Sequence, residues 1–442
     1  MVNCFLEKPP EGSKSPTAVI RTPGIEEILT LPTSPIRGMA VHKSTLYVVS
    51  GNSLYSINGS NYDTIGSIPG VNRVEMFSNG AQLGIVADQD LYVYETTLAM
   101  VTDAGYGGAS DATYLDLFGV FVRPNSADFF INSAAAPSFP DLNDFNALDY
   151  RTAEAQPGNI VAIESDHREL IILKEDNGEI WTNTDNADFT FQPVSNAFIE
   201  LGCIAKNSLA KADNTVFWLA NDMTVRRLDG YTPIRISTHA IENDITKMTT
   251  REDAFAFSHP FNGHLFYVLT FPTENKTFVY DITTRLWHER ESDGVEWRAG
   301  HYLYTNNIHY IGDLNTGKLG KINGQVYEDF GEVHRVSVTS PSISKDGRQI
   351  FFARMHVDFE MGRGVLSGQG SDPQAMLQWS DDGGVTWSSE HWRSMGRIGE
   401  YSRRSVWWRL GASRDRVFRL SFSEPTPFTL ISADVELDVG RT

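Results

Sequence analysis

The chain has 442 residues, of which 41% are hydrophobic and 11% aromatic, so it can form well-packed cores and is not an intrinsically disordered protein. No apolar run approaches the roughly 18 residues that span a bilayer, and the N-terminal residues lack the apolar segment of a signal peptide. The two cysteines, Cys4 and Cys203, lie far apart in sequence, which predicts unpaired thiols in a reducing compartment.

The formal net charge of −19 is unevenly distributed. Residues 336–442 hold 13 basic and 13 acidic side chains, whereas residues 1–335 hold 24 basic and 43 acidic ones. The whole acidic excess therefore belongs to the first 335 residues. An acidic body repels nucleic acid at long range, which disfavours DNA gripping by that part, although ordinary solubility also explains such a charge.

Residues 1–34 are rich in proline, at Pro9, Pro10, Pro16, Pro23 and Pro32. Proline fixes φ and removes a backbone donor, so this composition favours an extended segment. We predict an N-terminal arm that packs along a domain, or that closes a propeller by supplying a strand to its last blade.

Residues 35–335 repeat one pattern of short apolar runs separated by turn residues. The clearest copy contains Ile160–Ile163, Leu170–Leu173 and Glu179–Thr182, with Asn177-Gly178 indicating a tight hairpin turn. Seven copies can be traced, and their closing strands are predicted to start near residues 54, 91, 129, 180, 224, 277 and 319. Blades of β-propellers repeat every ~40–50 residues, so the spacing predicts a propeller of six or seven blades.

The pattern changes near residue 336. Alternation of apolar and polar residues over several positions indicates strands with one buried face. We therefore predict a C-terminal β-sandwich over residues 336–442, and an all-β chain whose one short helix covers 238–247. The alternating segments are Met355–Glu360, Met376–Trp379, Val406–Leu410, Val417–Phe422 and Phe428–Glu436.

The sharpest local motif is an Asp box, formed by Ser380, Asp382, Gly384, Thr386 and Trp387. In such a turn the carboxylate accepts hydrogen bonds from turn amides, glycine adopts positive φ, and the tryptophan fills the core beneath the hairpin. Sialidases carry Asp boxes in propeller blades, so a glycosidase or a glycan-binding tail protein is the alternative hypothesis. The box itself is a folding device, and no spacing identifies the converging carboxylates that glycoside hydrolysis needs.

A strip of arginines lies in the C-terminal domain, where residues 391–419 carry a net charge of +6. Trp392, Trp407 and Trp408 are interleaved with it. Arginine and tryptophan anchor protein interfaces, and basic residues with aromatic ones also suit contact with DNA; solvated strand faces are the third interpretation. The members are Arg393, Arg397, Arg403, Arg404, Arg409, Arg414, Arg416 and Arg419.

The sequence offers no signature of a catalytic or metal centre. GxSxG, Walker A, GxGxxG and HExxH motifs are absent, and the 11 histidines have no metal-ligand spacing. We therefore predict no catalytic residues, no metal and no cofactor.

Several blocks, taken in order, resemble the packaged-DNA stabilization proteins of short-tailed bacteriophages, the tail hub or nozzle family. They span nearly the whole chain. The blocks include Thr22–Gly24, Ile36–Met39, Leu46–Gly51, Ala153–Pro157, Val216–Leu219, Leu228–Pro233, Arg235–Glu242, Thr277–Asp281, Leu286–Glu289, Trp407–Gly411 and Ser413–Phe418.

This resemblance implies a structural virion protein and not an enzyme. It implies a ring, typically a hexamer, below the portal and its adaptor, the head-to-tail connector. The ring would extend the DNA channel, retain packaged DNA and conduct it during ejection. Partners implied are the adaptor, a distal needle, spike or fibre protein, and double-stranded DNA passing without sequence specificity. The expected location is the phage tail, after synthesis in the host cytoplasm, with no membrane partner.

Overall fold

A computed structural model describes residues 1–8, 12, 15–133, 141–186 and 189–440. Strands account for 54% of residues and helices for 3%, which confirms the predicted all-β class. The chain divides into two compact units, each described by itself. Pro9 and Pro10 of the predicted arm lie outside the described residues. Unit 1 comprises Met1–Glu26, Phe278–Val295 and Ile322–Thr442, and unit 2 comprises Glu27–Thr277 and Glu296–Lys321.

Three strands occupy the segment predicted as an extended arm. The first two pair with each other in antiparallel register, from Cys4 opposite Arg21 to Glu7 opposite Ala18. The strands are β1 (Cys4–Glu7), β2 (Ala18–Arg21) and β3 (Gly24–Thr30).

Six four-stranded antiparallel sheets follow in the chain, each built from consecutive strands in meander order. Their strands are β4 (Ile36–His42), β5 (Thr45–Ser50), β6 (Ser53–Asn58) and β7 (Asn61–Ser67); β8 (Glu75–Ser78), β9 (Leu83–Ala87), β10 (Asp90–Tyr94) and β11 (Leu98–Met100); β12 (Asp111–Leu115), β13 (Phe118–Val122), β14 (Asp128–Ile131) and β15 (Tyr150–Thr152); β16 (Ile160–Asp166), β17 (Glu169–Lys174), β18 (Gly178–Asn183) and β19 (Phe191–Ile199); β20 (Ala210–Ala212), β21 (Thr215–Leu219), β22 (Val225–Asp229) and β23 (Thr232–Arg235); β24 (Phe255–Phe261), β25 (His264–Phe271), β26 (Lys276–Asp281) and β27 (Leu286–Glu289).

A seventh sheet has the order β30-β31-β32-β3-β33-β34. The N-terminal strand β3 therefore lies beside β32, far along the chain, and Leu31 N donates to the Gly317 carbonyl at 2.8 Å just beyond them. Together with the six meander sheets, this gives seven blade-like sheets among the described residues, in agreement with the upper of the two predicted blade numbers. The strands of this region are β28 (Glu291–Ser292), β29 (Val295–Glu296), β30 (Ala299–Thr305), β31 (Ile308–Asp313), β32 (Lys318–Asn323), β33 (Glu328–Asp329) and β34 (Glu332–Val333).

The hydrophobic pattern explains why the first blade has buried central strands and an exposed outer strand. In the first blade, Leu46–Ser50 of β5 is fully buried, whereas β7 is mostly exposed. Apolar side chains from consecutive blades of unit 2 then form shared clusters, such as Phe129 against Trp181 with ring centroids 5.0 Å apart. Packing between sheets, rather than within one sheet, therefore provides the core.

The observed backbone angles agree with a tight two-residue turn at one Asn-Gly pair of the sequence and differ from it at another. Asn262 and Gly263 have φ of 49° and 82°, as a tight two-residue turn requires. At Asn177-Gly178 the predicted hairpin forms, since β17 and β18 pair in antiparallel register, but the predicted turn conformation is wrong, because neither of these described residues has positive φ and Gly178 already belongs to β18. That turn ends at Asn177, whose carbonyl accepts from Lys174 N at 2.7 Å.

The C-terminal strands of unit 1 form two sheets around one core. The sheets have the orders β1-β2-β42-β37-β40 and β35-β41-β38-β39, with β36 also paired to β41. Phe352, Trp407, Phe418 and Phe422 are buried in the core. The predicted β-sandwich is confirmed as a fold class. The predicted domain boundaries after residues 34 and 335 stay predictions. The strands are β35 (Val336–Thr339), β36 (Ile343–Ser344), β37 (Ile350–Phe359), β38 (Gln374–Ser380), β39 (His391–Ser394), β40 (Ser405–Ser413), β41 (Asp415–Phe422) and β42 (Thr429–Val439).

Among the described residues, helical structure is limited to a short α1 (His239–Lys247), as the Ile241 and Ile245 spacing predicts, and one 3-10 turn over Lys206–Ser208. Both isoleucines are buried. In the described part of the chain, no helix has the length and apolarity to cross a membrane.

Candidate functional site

The Asp box adopts the hydrogen-bonding pattern that its sequence predicts. Asp382 accepts from Val385 N at 3.0 Å and from Thr386 N at 2.9 Å, and Ser380 Oγ accepts from Gly384 N at 2.8 Å. Hydrogen bonds from the Ser380 and Thr386 hydroxyls, and from Thr386 N, hold the pKa of Asp382 well below its usual range. Gly384 has φ of 99°, which favours glycine.

Trp387 of the box is half-buried and does not fill the sandwich core as predicted. Its Nε1 donates to the Gly384 carbonyl at 3.0 Å. The Arg419 guanidinium lies 3.9 Å from its ring centroid and donates to Gln378 Oε1 at 2.9 Å. The tryptophan therefore packs against a cation on β41 instead of entering the apolar core.

Arg416 differs from the rest of the arginine strip because it is buried, with 2% of its surface exposed. Its Nε and Nη2 donate to the two carboxylate oxygens of Asp381 at 2.6 and 2.8 Å. The guanidinium lies over the rings of Phe352 and Trp379 at 4.6 and 5.4 Å. These contacts make Arg416 a structural residue of the sandwich.

Three exposed arginines make local contacts that leave their charge at the surface. Arg393 donates to the Val406 carbonyl at 2.9 Å, Arg403 lies 3.2 Å from Glu400, and Arg397 lies 3.8 Å from Asp372. Exposed ion pairs of this kind contribute about 0–1 kcal/mol to stability. Their presence is therefore not explained by folding.

Arg404, Arg409 and Arg414 are exposed and form no ion pair or side-chain hydrogen bond with other described residues. Arg409 has φ of 60° at a β-bulge, where Arg409 and Leu410 together oppose Ala353 on β37. A bulge redirects side chains and locally increases strand twist. These three guanidinium groups are available to a partner.

An aromatic and charged row crosses the outer face of the β42-β37-β40 sheet. Arg354 is opposite Trp408 on one side and Glu436 on the other, with its guanidinium 5.3 Å from the indole centroid and 2.5 Å from the carboxylate. Trp408 is 59% exposed. Exposed tryptophan beside arginine is typical of protein interfaces, where both residue types are enriched.

Two neighbouring loops in unit 1 expose apolar residues that the sequence pattern did not predict. Leu366 is 86% exposed and Tyr401 is 72% exposed, and Ile398 lies in the same surface region as Leu366. Neither loop has strand periodicity, so alternation gave no signal. Their position beside glycines, at Gly368, Gly370 and Gly399, was the available clue to protruding loops.

The described residues contain no group of three or more His, Cys, Asp or Glu side chains arranged to hold a metal ion. Both cysteines are buried and unpaired, and burial raises the pKa of each thiol to about 12. Reactive thiols have a lowered pKa, so these two are inert packing residues.

The block around Arg37, which carries part of the sequence resemblance, serves the propeller fold. Arg37 is 1% exposed and donates to the carbonyls of Asn72, Gly51 and Ile68 at 2.6, 2.9 and 2.9 Å. One guanidinium thereby satisfies carbonyls of the β5–β6 turn and of the connection between β7 and β8.

Family models match nearly the whole chain. One is described as bacteriophage P22 Gp10, beta-propeller, and matches residues 2–327; the other is described as bacteriophage P22 Gp10, beta-sandwich, and matches residues 335–438. The chain belongs to the bacteriophage P22 Gp10 family. Membership in this family of phage DNA-stabilisation and tail-nozzle proteins makes the chain a structural protein of the phage virion.

A search of curated proteins gives no match. Solved structures that resemble the chain include YCF48 bound to D1 peptide, at 10% identity and TM-score 0.43, covering 68% of this chain and 97% of that one. The extracellular domain of the one-component system BT4673 from B. thetaiotaomicron has 8% identity and TM-score 0.46, covering 92% and 58%. A catalytically inactive virginiamycin B lyase from Staphylococcus aureus with quinupristin has 11% identity and TM-score 0.44, covering 68% and 98%. Likeness at this level carries no inference about function.

Proposed function

We propose that this Gp10-family chain forms a ring of six copies in the tail nozzle, below the portal and its adaptor. The ring extends the DNA channel, retains packaged DNA and conducts it during ejection. The observation that carries the proposal is that both family models match, in order, across residues 2–327 and 335–438. Its partners are other copies of the chain, the adaptor and a distal needle, spike or fibre protein.

The charge distribution supports a conduit rather than a DNA clamp. Residues 1–335 carry the entire acidic excess. Phosphate-binding proteins gain affinity by neutralising phosphates with lysine and arginine, so an acidic wall does not hold a duplex in place. Such a wall lets DNA slide when the particle ejects its genome.

The exposed arginines supply a surface for ring assembly. A ring needs a head-to-tail interface, in which one surface of each copy meets a different surface of the next. Arg404 and Arg409 with Trp408 offer a basic, aromatic surface, and the acidic residues of a neighbouring copy offer the complementary charge. Complementary charge sets orientation and suppresses wrong pairings.

The assembly surface is tested by the double variant Arg404→Glu/Arg409→Glu. We expect the purified variant to remain folded by circular dichroism but to fail to form rings or tails, as measured by sedimentation and electron microscopy. Removing one partner of a desolvated ion pair costs about 3–5 kcal/mol, enough to abolish a modest interface. The matched control is Lys345→Glu/Arg348→Glu, which makes the same charge change at an exposed turn of the sandwich.

The other outcomes separate the competing interpretations. Variant particles that assemble normally but lose DNA, increasingly so at higher salt, would assign the strip to DNA contact. Variant particles that assemble normally and retain their DNA normally would leave only the third interpretation, in which the arginine strip is a solvated strand face. Release of reducing sugar ends from host polysaccharide by the wild-type protein would instead favour the glycosidase alternative.

A further inference from the structure

Strand β42, with 11 residues, is the longest strand in the described part of the chain. On one side it pairs with β37 along almost its whole length. On its other side the described strand partner is β2, whose pairing covers only Thr429 and Leu430. The backbone edge of residues 434–439 that faces away from β37 therefore has no strand partner among the described residues.

An unpaired strand edge presents N–H and C=O groups that can pair with an added strand. Six residues extend over about 20 Å at ~3.4 Å per residue, which is enough for an added strand of ordinary length. Proteins that only protect such an edge commonly shorten the strand, place proline on it or turn charged side chains inward. Residues 434–439 show none of these three features, because the strand is long, contains no proline and has apolar side chains on its inner face.

The inner face of this segment extends the apolar core of the sandwich. Val435 packs against the core cluster. Leu437 and Val439 lie opposite two buried residues of β37, Phe352 and Ile350. Directly opposite residues of antiparallel strands share a face, yet Leu437 is 37% exposed and Val439 is 40% exposed. The apolar face is thus only partly covered along this edge, and apolar side chains of an added strand would cover it further.

The outer face of the same segment is acidic. Asp434, Glu436 and Asp438 alternate along it and are exposed. Glu436 pairs with Arg354 of β37, whereas Asp434 and Asp438 form no ion pair or side-chain hydrogen bond with other described residues. Like charges directly opposite each other destabilise strand pairing, so this edge disfavours pairing with its own copy in a second chain. A strand with lysine or arginine on this face would be favoured.

We propose that residues 434–439 of β42 bind an extended strand of a partner protein, in which apolar residues alternate with lysine or arginine. Backbone hydrogen bonds to the free edge would hold the strand. Its apolar side chains would cover Leu437 and Val439, and its basic side chains would face Asp434 and Asp438. The proposal is independent of ring formation through the arginine strip, because β40 with Arg409 is at the opposite edge of this sheet.

The proposal is tested with the full chain and a fluorescein-labelled octapeptide in which valine alternates with lysine. Fluorescence anisotropy at physiological salt measures binding, and we expect one saturable site per chain. A peptide with proline in place of each valine keeps every positive charge but cannot pair as a strand, so it should bind at least about tenfold more weakly. A peptide with glutamate in place of each lysine should lose affinity to the same extent, because it places like charges opposite each other.

The double variant Asp434→Lys/Asp438→Lys tests the edge itself. Both side chains are exposed and have no described partner, so the variant should remain folded by circular dichroism. We expect its affinity for the valine-lysine peptide to fall at least about tenfold. The matched control is Glu332→Lys/Asp346→Lys, which makes the same charge change at exposed positions elsewhere in unit 1 and should bind as the wild type does.

Amide hydrogen exchange locates the bound peptide. At saturation, the valine-lysine peptide should slow exchange at alternate residues within 434–439, and leave the exposed outer strand β7 unchanged. Equal binding of the valine-lysine and proline-lysine peptides would show only a general attraction to an acidic chain and would overturn the proposal. Absence of binding would also overturn it, since the acidic side chains would then serve only to prevent aggregation. Slowed exchange confined to another part of the chain would have the same consequence.

Discussion

The propeller and the sandwich use arginine in opposite ways. In the propeller, Arg37 is buried and its donors satisfy backbone carbonyls of separate turns. In the sandwich, Arg416 alone of the strip is buried, against Asp381, while Arg404 and Arg409 remain exposed. The difference teaches that a buried arginine such as Arg37 serves folding, whereas exposed arginines such as Arg404 and Arg409 remain available to a partner.

The strongest test of this contrast is Arg37→Ala in the propeller. Loss of the guanidinium leaves buried carbonyls of Asn72, Gly51 and Ile68 without their donor. Each such group costs about 1–3 kcal/mol, so we expect unfolding free energy to fall by roughly 3–5 kcal/mol. Urea denaturation measures it, with Arg227→Ala as the surface control, expected to change stability by less than about 1 kcal/mol. Equal effects of the two substitutions would remove the distinction between buried and surface arginines.

A smaller loss is expected for Arg416→Ala in the sandwich. The variant loses the paired hydrogen bonds to Asp381 and the packing over Phe352. Because Asp381 is 45% exposed, water can solvate the released carboxylate, and we expect about 2–3 kcal/mol. The neighbouring exposed Arg414→Ala should change the unfolding free energy by no more than about 0.5 kcal/mol. If Arg416→Ala left the unfolding free energy unchanged, Arg416 would not stabilise the sandwich, and the contrast with the exposed arginines of the strip would be lost.

The smallest change in stability is expected for the Asp box, and the pH dependence of that change tests its cause. The folded-state pKa of Asp382 is depressed, so its stabilising contribution is present above the unfolded value of about 3.9 and is lost as pH falls towards the folded value. Asp382→Asn should therefore lower the melting temperature near neutral pH, with a difference that narrows in acid. Asp346→Asn, at an exposed turn, serves as control. If the difference in melting temperature between the wild type and Asp382→Asn widened on acidification, the depressed pKa of Asp382 would be contradicted.

Much of the propeller could be predicted because its central strands have strong signals. Closing strands predicted near residues 54, 129 and 277 correspond to β6, β14 and β26, which start at Ser53, Asp128 and Lys276. Buried strands between turn residues give a clear hydrophobic pattern. The fourth strands of the six meander blades were not predicted, since outer strands such as β7 are exposed and polar.

The candidate sites were less predictable. Composition placed Arg416 and Arg404 in one strip, because neither hydrogen-bond partners nor burial can be read from a run of arginines. Arg73 and Lys206, which line the same cavity of unit 2, are 133 positions apart in the chain. Each lies just before or between strands, with no motif around it. Only the closure of the blades brings such residues together.

Strand β3 has a consequence for how the protein is made. It comes from residues 24–30, yet its neighbour β32 comes from residues 318–323, so nearly three quarters of the chain must leave the ribosome before the two can meet. Contacts this distant in sequence form late, because the intervening loop must first be closed at an entropic cost. During translation the strand therefore waits with an open backbone edge, a state prone to pairing with other chains. Closure of the last blade is therefore expected to be a late step of folding.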